Sequence, residues 1–173
     1  GGPPALVSAS LIGSGMMAAG QRAGRRKVMA VSSGGGHWVQ LRRIAPAFAG
    51  LDVFYVGVDR IPPAEMAGET YYAVRDATRR DRIAFAVLVA QLVRIVLKER
   101  PDVVVTTGAA PGLIALALAK ILVGSRTIWI DSIANVGRMS GSGMQARRFA
   151  DHWLTQWEEL ARPEGPHCWG QVL

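Results

Sequence analysis

Short β-like runs alternate with longer helical runs along the 173 residues, and this predicts an α/β domain: a Rossmann-like, mostly parallel sheet flanked by helices. Two further observations support that class. The strand candidates are rich in Val, Ile and aromatic residues, as buried strands are. Several of them also run into loops of Gly, Ser and Thr, which is where a parallel sheet places ligands, at the carboxyl ends of its strands.

In chain order, "KVMAVSS" (27–33) is a buried strand ending in glycines. "HWVQLRRIAPAFAG" (37–50) is helical, with Trp38, Leu41, Ile44 and Ala45 on one face. "LDVFYVGV" (51–58) is a second strand, "IPPAEMAGE" (61–69) a loop or short helix, and "TYYAV" (70–74) a third strand. A long helix follows over 79–100 and ends before Pro101, because proline disfavours helix in the residue ahead of it. "PDVVVTTG" (101–108) is a strand, "APGLIALALAKILVG" (110–124) a buried helix, and "RTIWIDS" (126–132) a strand. "SGSGMQARRFA" (140–150) is a loop followed by a helix, and "DHWLTQW" (151–157) a strand. "CWGQVL" (168–173) is too short to assign.

The helix at 79–100 is apolar almost all round from Ile83 to Leu97, with Gln91 and Arg94 the interruptions. Fifteen residues are too few to span a bilayer, where about 20 are needed. It reads as a core helix or, alternatively, as a helix partly exposed at a membrane surface. In the second case Arg79, Arg80, Arg82, Lys98 and Arg100 flank it.

The formal net charge is +7, and more than half of it comes from Arg22, Arg25, Arg26 and Lys27, in a segment without acids. Such an arm suits anionic headgroups or nucleic acid, or is simply a solvated tail. Residues 1–26 read as a poorly ordered extension, with a marginal membrane anchor as the alternative. Residues 27–173 read as the domain. Cys168 is the single cysteine, so no intrachain disulfide forms, and no Cys/His spacing suits a metal. A nucleic-acid role would rest on the arm alone, and none is expected.

Three strand ends carry the candidate chemistry. In "SSGGGHW", glycines let the backbone approach a ligand, and the following helix N-terminus offers free N–H groups for an anion. The pattern matches neither dinucleotide nor P-loop fingerprints, which counts against a nucleotide-binding enzyme. In "TTGAAPG", Thr106 and Thr107 supply hydroxyls beside Gly108 and Gly112. In "WIDSIANVGRMSGSG", Asp131 can accept a proton or cap the next helix, with Ser132, Asn135 and Arg138 close behind. Each loop also fits a ligand-free turn or plain strand–helix packing.

Together, these ordered blocks resemble a known family. "SSGGGHWVQL" is similar to the Gly-Ser-Gly-Gly-His loop of the asparagine-linked glycosylation protein fourteen family, which includes bacterial polysaccharide-synthesis relatives of the PssD type. "TTGAAPGLIALALA" resembles its second glycine-proline loop and apolar helix. "WIDSIANVGRMSGSGMQARRFADHWLTQW" resembles its acid-Ser, Ser-x-Ser-Gly and Gln-Trp segment, and "WGQVL" resembles its end. The likeness covers residues 27–173. Asp131 replaces a frequent Glu, Asn135-Val136-Gly137 stands where Arg-Val is usual, and Gln156-Trp157-Glu158 stands for Gln-Trp-Pro; these departures favour a bacterial branch.

The resemblance implies the N-terminal, acceptor half of a GT-B glycosyltransferase of the MurG type. A separate small subunit would hold the UDP-sugar. The implied function is the membrane-associated subunit of a two-component hexosyltransferase, inactive alone, in oligosaccharide or exopolysaccharide biosynthesis. Its acceptor would be a polyprenyl-diphosphate-linked sugar, at the cytoplasmic face of the plasma membrane. The rival expectation is a non-catalytic recruiter for the catalytic partner.

Ser33, Gly34, Gly35, Gly36, Thr107, Gly108, Ser132 and Arg138 would bind the acceptor and its diphosphate. His37 would act as base near the acceptor hydroxyl, with Asp131 as rival base or orienter. Helix dipoles and arginines would stabilise the leaving diphosphate, so no cofactor or metal is expected.

Overall fold

The computed structural model describes residues 24–58, 68–77 and 81–172. Seven parallel strands form one sheet: β1 (Lys27–Val31), β2 (Asp52–Gly57), β3 (Thr70–Ala73), β4 (Val103–Thr106), β5 (Arg126–Ile130), β6 (His152–Thr155) and β7 (His167–Cys168), in the order β3-β2-β1-β4-β5-β6-β7. The helices are α1 (Gly36–Ile44), α2 (Arg82–Glu99), α3 (Ala109–Val123) and α4 (Gly141–Ala146). The expected fold class is therefore observed. Residues 1–23, the segment 61–67, Arg79 and Arg80 lie outside the described residues, and with them most of the proposed N-terminal extension. Arg26 already takes part in the sheet, because its carbonyl accepts from the Asp52 N–H at 3.0 Å.

Strand alternation divides the core. Met29 and Val31 point to one face, with Phe54, Val56 and Val104, and meet Leu88, Leu92 and Val96 of α2 and Ala115 and Ala119 of α3. Val28 and Ala30 point to the other face, where Leu41 and Ile44 of α1 cover them. A third cluster, Leu116, Trp129, Ala146 and Trp153, seats α4 beside α3. The buried apolar side chains supply most of the drive to fold.

Local chemistry sets the boundaries. Pro46 has no N–H for a helical ladder, so α1 gives way at Ile44 to a 3-10 turn over Ala45–Phe48, shorter than the helical stretch expected from sequence. The Asp81 side chain caps α2 by accepting from the Ala84 N–H at 2.9 Å, and Arg100 ends it in a left-handed conformation ahead of Pro101. The end of α2 is fastened to the sheet by a polar network. Tyr72 donates to Glu99 at 2.5 Å, and Lys27 of β1 donates to the other Glu99 oxygen at 3.0 Å. The Tyr72 hydrogen bond, then Lys27, hold the Glu99 carboxyl below the usual carboxylate range.

The outer face of α2 is exposed among the described residues. Ile83, Val87 and Leu97 are exposed, as are Ala86 and Ala90 on the same stripe, and so are Ile121 and Leu122 near the end of α3. The core-helix expectation holds for one side of α2 only. Among the described residues no helix is long and apolar enough to cross a membrane.

Candidate functional site

The strand order reverses between β1 and β4, whose crossovers leave in opposite directions. That topology opens a crevice at their carboxyl ends. The β1 loop Ser32–Gly35 and the β4 loop Thr107–Gly108 meet there. Each leads into a helix that no side chain caps: α1 starts from Gly35 and α3 from Gly108. By contrast, α2 and α4 are capped by Asp81 and Ser140. Both helix starts therefore leave backbone N–H groups uncapped at their positive ends, although Pro111 brings none to α3 and the Gly108 N–H is taken by Thr106 Oγ1 at 3.2 Å.

Gly35 adopts φ 65°, which side chains resist, and a Cβ there or at Gly36 would meet nothing within 4 Å. The loop surface above α1 is thus open and glycine-floored. Ser33 and Gly34 are half-buried beside it. Across the crevice Ala109 takes φ 63°, a left-handed conformation that costs an alanine about 1 kcal/mol or more.

His37 joins the two loops. Its Nδ1 lies 2.8 Å from the Thr107 carbonyl oxygen, and the Thr107 hydroxyl donates to the His37 carbonyl at 2.7 Å. Thr107 and Gly108 are both buried. Of the residues expected to bind the acceptor, these two lie against His37.

Asp131 sits at the end of β5 with 1% exposure. One of its oxygens accepts from Trp129 Nε1 at 3.2 Å and from the Ser140 hydroxyl at 2.6 Å. The other accepts from Asn135 Nδ2 at 3.0 Å and from the Ser140 N–H at 2.9 Å. Four donors thus close the loop 132–140 around one carboxylate. The Gln156 amide donates to the Asp131 carbonyl at 2.8 Å, tying the loop to the end of β6. Asp131 organises the start of α4 indirectly, because the capping residue is Ser140, whose hydroxyl accepts from the Gly143 N–H at 2.8 Å. Ser132 is turned into its own loop and accepts from the Ala134 N–H at 3.3 Å, and Arg138 is exposed on the loop. Among the described residues, neither makes a hydrogen bond or ion pair that joins it to the His37 crevice.

Ser32, Trp38 and Gln40 were not among the site residues expected from the sequence. Among the described residues, the buried side-chain polar atoms without a hydrogen-bond partner are Ser32 Oγ, Trp38 Nε1 and both polar atoms of the Gln40 side chain. All belong to the glycine loop and α1. Of these, Ser32 Oγ belongs to the glycine loop itself, while the Trp38 ring packs against Tyr55 and Tyr71. No sequence signal marks them, since Ser32 follows a strand pattern and Gln40 a helical one. An open groove also runs past the far end of α1, between Phe48, Tyr55 and Glu69, but Arg42 and Glu69 pair there at 3.4 Å and no helix N-terminus faces it. The switch-point crevice has the chemistry that the groove lacks.

The family model for oligosaccharide biosynthesis protein Alg14-like proteins matches residues 73–171. The chain belongs to this Alg14-like family. The match begins at Ala73, so it includes Thr107, Gly108, Asp131, Ser132 and Arg138, while the glycine loop and His37 precede it.

A curated relative, the UDP-N-acetylglucosamine transferase subunit ALG14 of Yarrowia lipolytica, is 28% identical over 141 residues, covering 79% of this chain. The chain spans 62% of that relative's length. Among solved structures, Acinetobacter baumannii MurG superposes with a TM-score of 0.60 at 14% identity, over 85% of this chain and 44% of MurG. The UDP-N-acetylglucosamine 2-epimerase of Rickettsia bellii superposes with a TM-score of 0.59 at 14% identity, over 78% of this chain and 40% of the epimerase. At such identities the likeness is one of fold: this Alg14-like chain has the architecture of one lobe of these longer, GT-B-type proteins.

Proposed function

We propose that this Alg14-like chain is the acceptor-side subunit of a two-component UDP-sugar glycosyltransferase. It would act on a polyprenyl-diphosphate-linked sugar at the cytoplasmic face of a membrane. The observation that carries the proposal is the convergence of two uncapped helix N-termini on a glycine-floored crevice that holds one histidine. The N–H groups and helix ends suit the acceptor diphosphate, which lies over Gly34–Gly36. His37 faces the acceptor hydroxyl, takes its proton as the oxygen attacks the anomeric carbon, and UDP departs with the bonding pair.

Asp131 acts as a positioning residue in this reading, because its four acceptor interactions are all spent within the fold, three on the 132–140 loop and one on Trp129 of β5. Arg138, exposed on that loop, would supply a cation to the departing diphosphate once the second subunit is bound. The donor is a UDP-sugar held by a second subunit, with UDP-N-acetylglucosamine favoured by the name of the Yarrowia relative. The uncovered stripe Ile83–Val87–Leu97 on α2, edged by Arg82, Arg94 and Lys98, supports peripheral contact with an anionic membrane surface.

The test replaces His37 in the assembled complex. An asparagine presents an amide N–H where Nδ1–H sits, so His37→Asn keeps the bond to Thr107 and removes the base. We expect transfer to fall at least about 100-fold, the usual scale for a lost general base, with the melting temperature nearly unchanged. Near-normal turnover by His37→Asn and His37→Ala would place all the chemistry in the partner and leave this chain a non-catalytic recruiter.

A further inference from the structure

We infer that Thr107 and Gly108 form a clamp that fixes which nitrogen of His37 carries its proton, leaving Nε2 as the base-competent atom. For its catalytic meaning this rests on the function proposed above; the clamp itself is a property of this chain alone.

The geometry is specific. A carbonyl oxygen accepts and never donates, so the 2.8 Å contact with Thr107 requires the proton on Nδ1. In the neutral ring the lone pair then resides on Nε2. Free histidine in water favours the opposite tautomer, so the clamp reverses an intrinsic preference. Thr107 grips the same residue twice, since its hydroxyl donates to the His37 carbonyl at 2.7 Å. The two bonds run in opposite directions between the β1 and β4 loops, and a one-sided shift of either loop breaks both.

Gly108 supplies the seat. A Cβ at Gly108 would stand 2.8 Å from His37 Cε1 and 2.9 Å from Nδ1, closer than carbon atoms approach, but 3.8 Å from Nε2. The Nδ1–Cε1 edge of the ring therefore lies against the Gly108 backbone, and Nε2 is turned away from it. Flipping the ring would set a C–H against the Thr107 carbonyl and forfeit the hydrogen bond. Thr107 is fully buried, so its hydroxyl cannot serve a ligand without releasing His37. Both residues are thus positioning residues and make no direct contact with the acceptor.

The test is long-range 1H–15N correlation of the imidazole nitrogens in the full chain, at a pH where the rings are neutral. The chain has three histidines, and His37→Asn assigns the signal. The wild type should show His37 protonated on Nδ1. Gly108→Ala should displace the ring and give a mixture of tautomers, with His152 and His167 unmoved. Gly108 adopts φ 127°, so this variant risks misfolding. Thr107→Val, which keeps the shape and removes the hydroxyl, provides the second route and should also lower the Nδ1–H fraction.

In the assembled complex, Gly108→Ala should lower kcat at least tenfold, with KM for the lipid-linked acceptor within about twofold. A residue that touched the acceptor would raise KM instead. Wild-type His37 protonated on Nε2, or spectra unchanged in both variants, would overturn the clamp. A tautomer shift without loss of transfer would uphold the clamp and remove His37 as the base.

Discussion

Replacing Asp131 with asparagine separates a structural carboxylate from a catalytic one. The substitution keeps the shape and one acceptor oxygen. The bonds from Trp129 Nε1 and the Ser140 hydroxyl can survive on that oxygen, while the Ser140 N–H and Asn135 Nδ2 then face an NH2 group. Hydrogen bonds to a charged group contribute about 1.5–3 kcal/mol each. Asn135 is half-exposed and can turn toward water, but the Ser140 N–H is fixed at the start of α4. The net cost is then about 2–4 kcal/mol, a large part of the roughly 5–15 kcal/mol that holds a domain together. Urea denaturation followed by circular dichroism measures it, as a lower midpoint with an unchanged slope. A loss below about 1 kcal/mol would refute the account of Asp131 as the hub of the loop. A variant of full stability whose complex transfers sugar 100-fold more slowly would make Asp131 the base.

Other expectations follow from the same packing. In Gly112→Ala the new Cβ would stand 2.0 Å from the buried Thr106 Oγ1, so the variant should lose at least about 1–3 kcal/mol despite the better helix propensity of alanine. Adding Thr106→Ala should recover part of that loss, and no recovery would exclude the clash as its cause. Burial, then the charge of Arg126, depresses the His152 pKa below the ordinary 6.5. The unfolded chain therefore binds the proton more readily, and stability should fall as pH drops below about 6.5. His152→Phe should flatten that part of a melting-temperature profile. Glu99 and Asp151 are both held below their usual values. For Asp151, burial opposes ionisation, but Lys120 and Thr127 outweigh it. Their contribution is present above the unfolded carboxylate values and is lost on further acidification, so Glu99→Gln should blunt the fall below about pH 4.3. A chain beginning at Gly24 should melt within a few degrees of the full chain, and a large drop in calorimetry would give residues 1–23 a structural role.

Much of this architecture is legible in the sequence because its local signals agree. Val103–Thr106 is β-branched throughout and runs into glycine, and Gly124 closes α3 in the left-handed conformation that glycine permits. What escaped is non-local or very short. β7 has two residues, and the register of His167 against Leu154 defines it, not any pattern of its own. The contact between His37 and Thr107 joins positions 70 residues apart, so neither loop alone announces that the other supplies its partner. Asp131 was visible as a carboxylate at a strand end, and both catalysis and capping fitted that position. The choice lay in Trp129, Asn135 and Ser140, whose donors converge only once the loop has closed. Likewise, the helical period of α2 gave no sign of which side stays bare, because apolar residues occupy nearly every side of it.

Sugar transfer from labelled UDP-N-acetylglucosamine to a polyprenyl-diphosphate-linked acceptor in membranes tests the central claim most directly. It is measured with this chain alone, with a second protein bearing a UDP-sugar-binding lobe alone, and with both. This chain superposes on 44% of MurG. A cleft that excludes water and sets donor against acceptor needs the other lobe as well. The account predicts negligible transfer by either protein alone and robust transfer by the pair. Robust transfer by this chain by itself would contradict it.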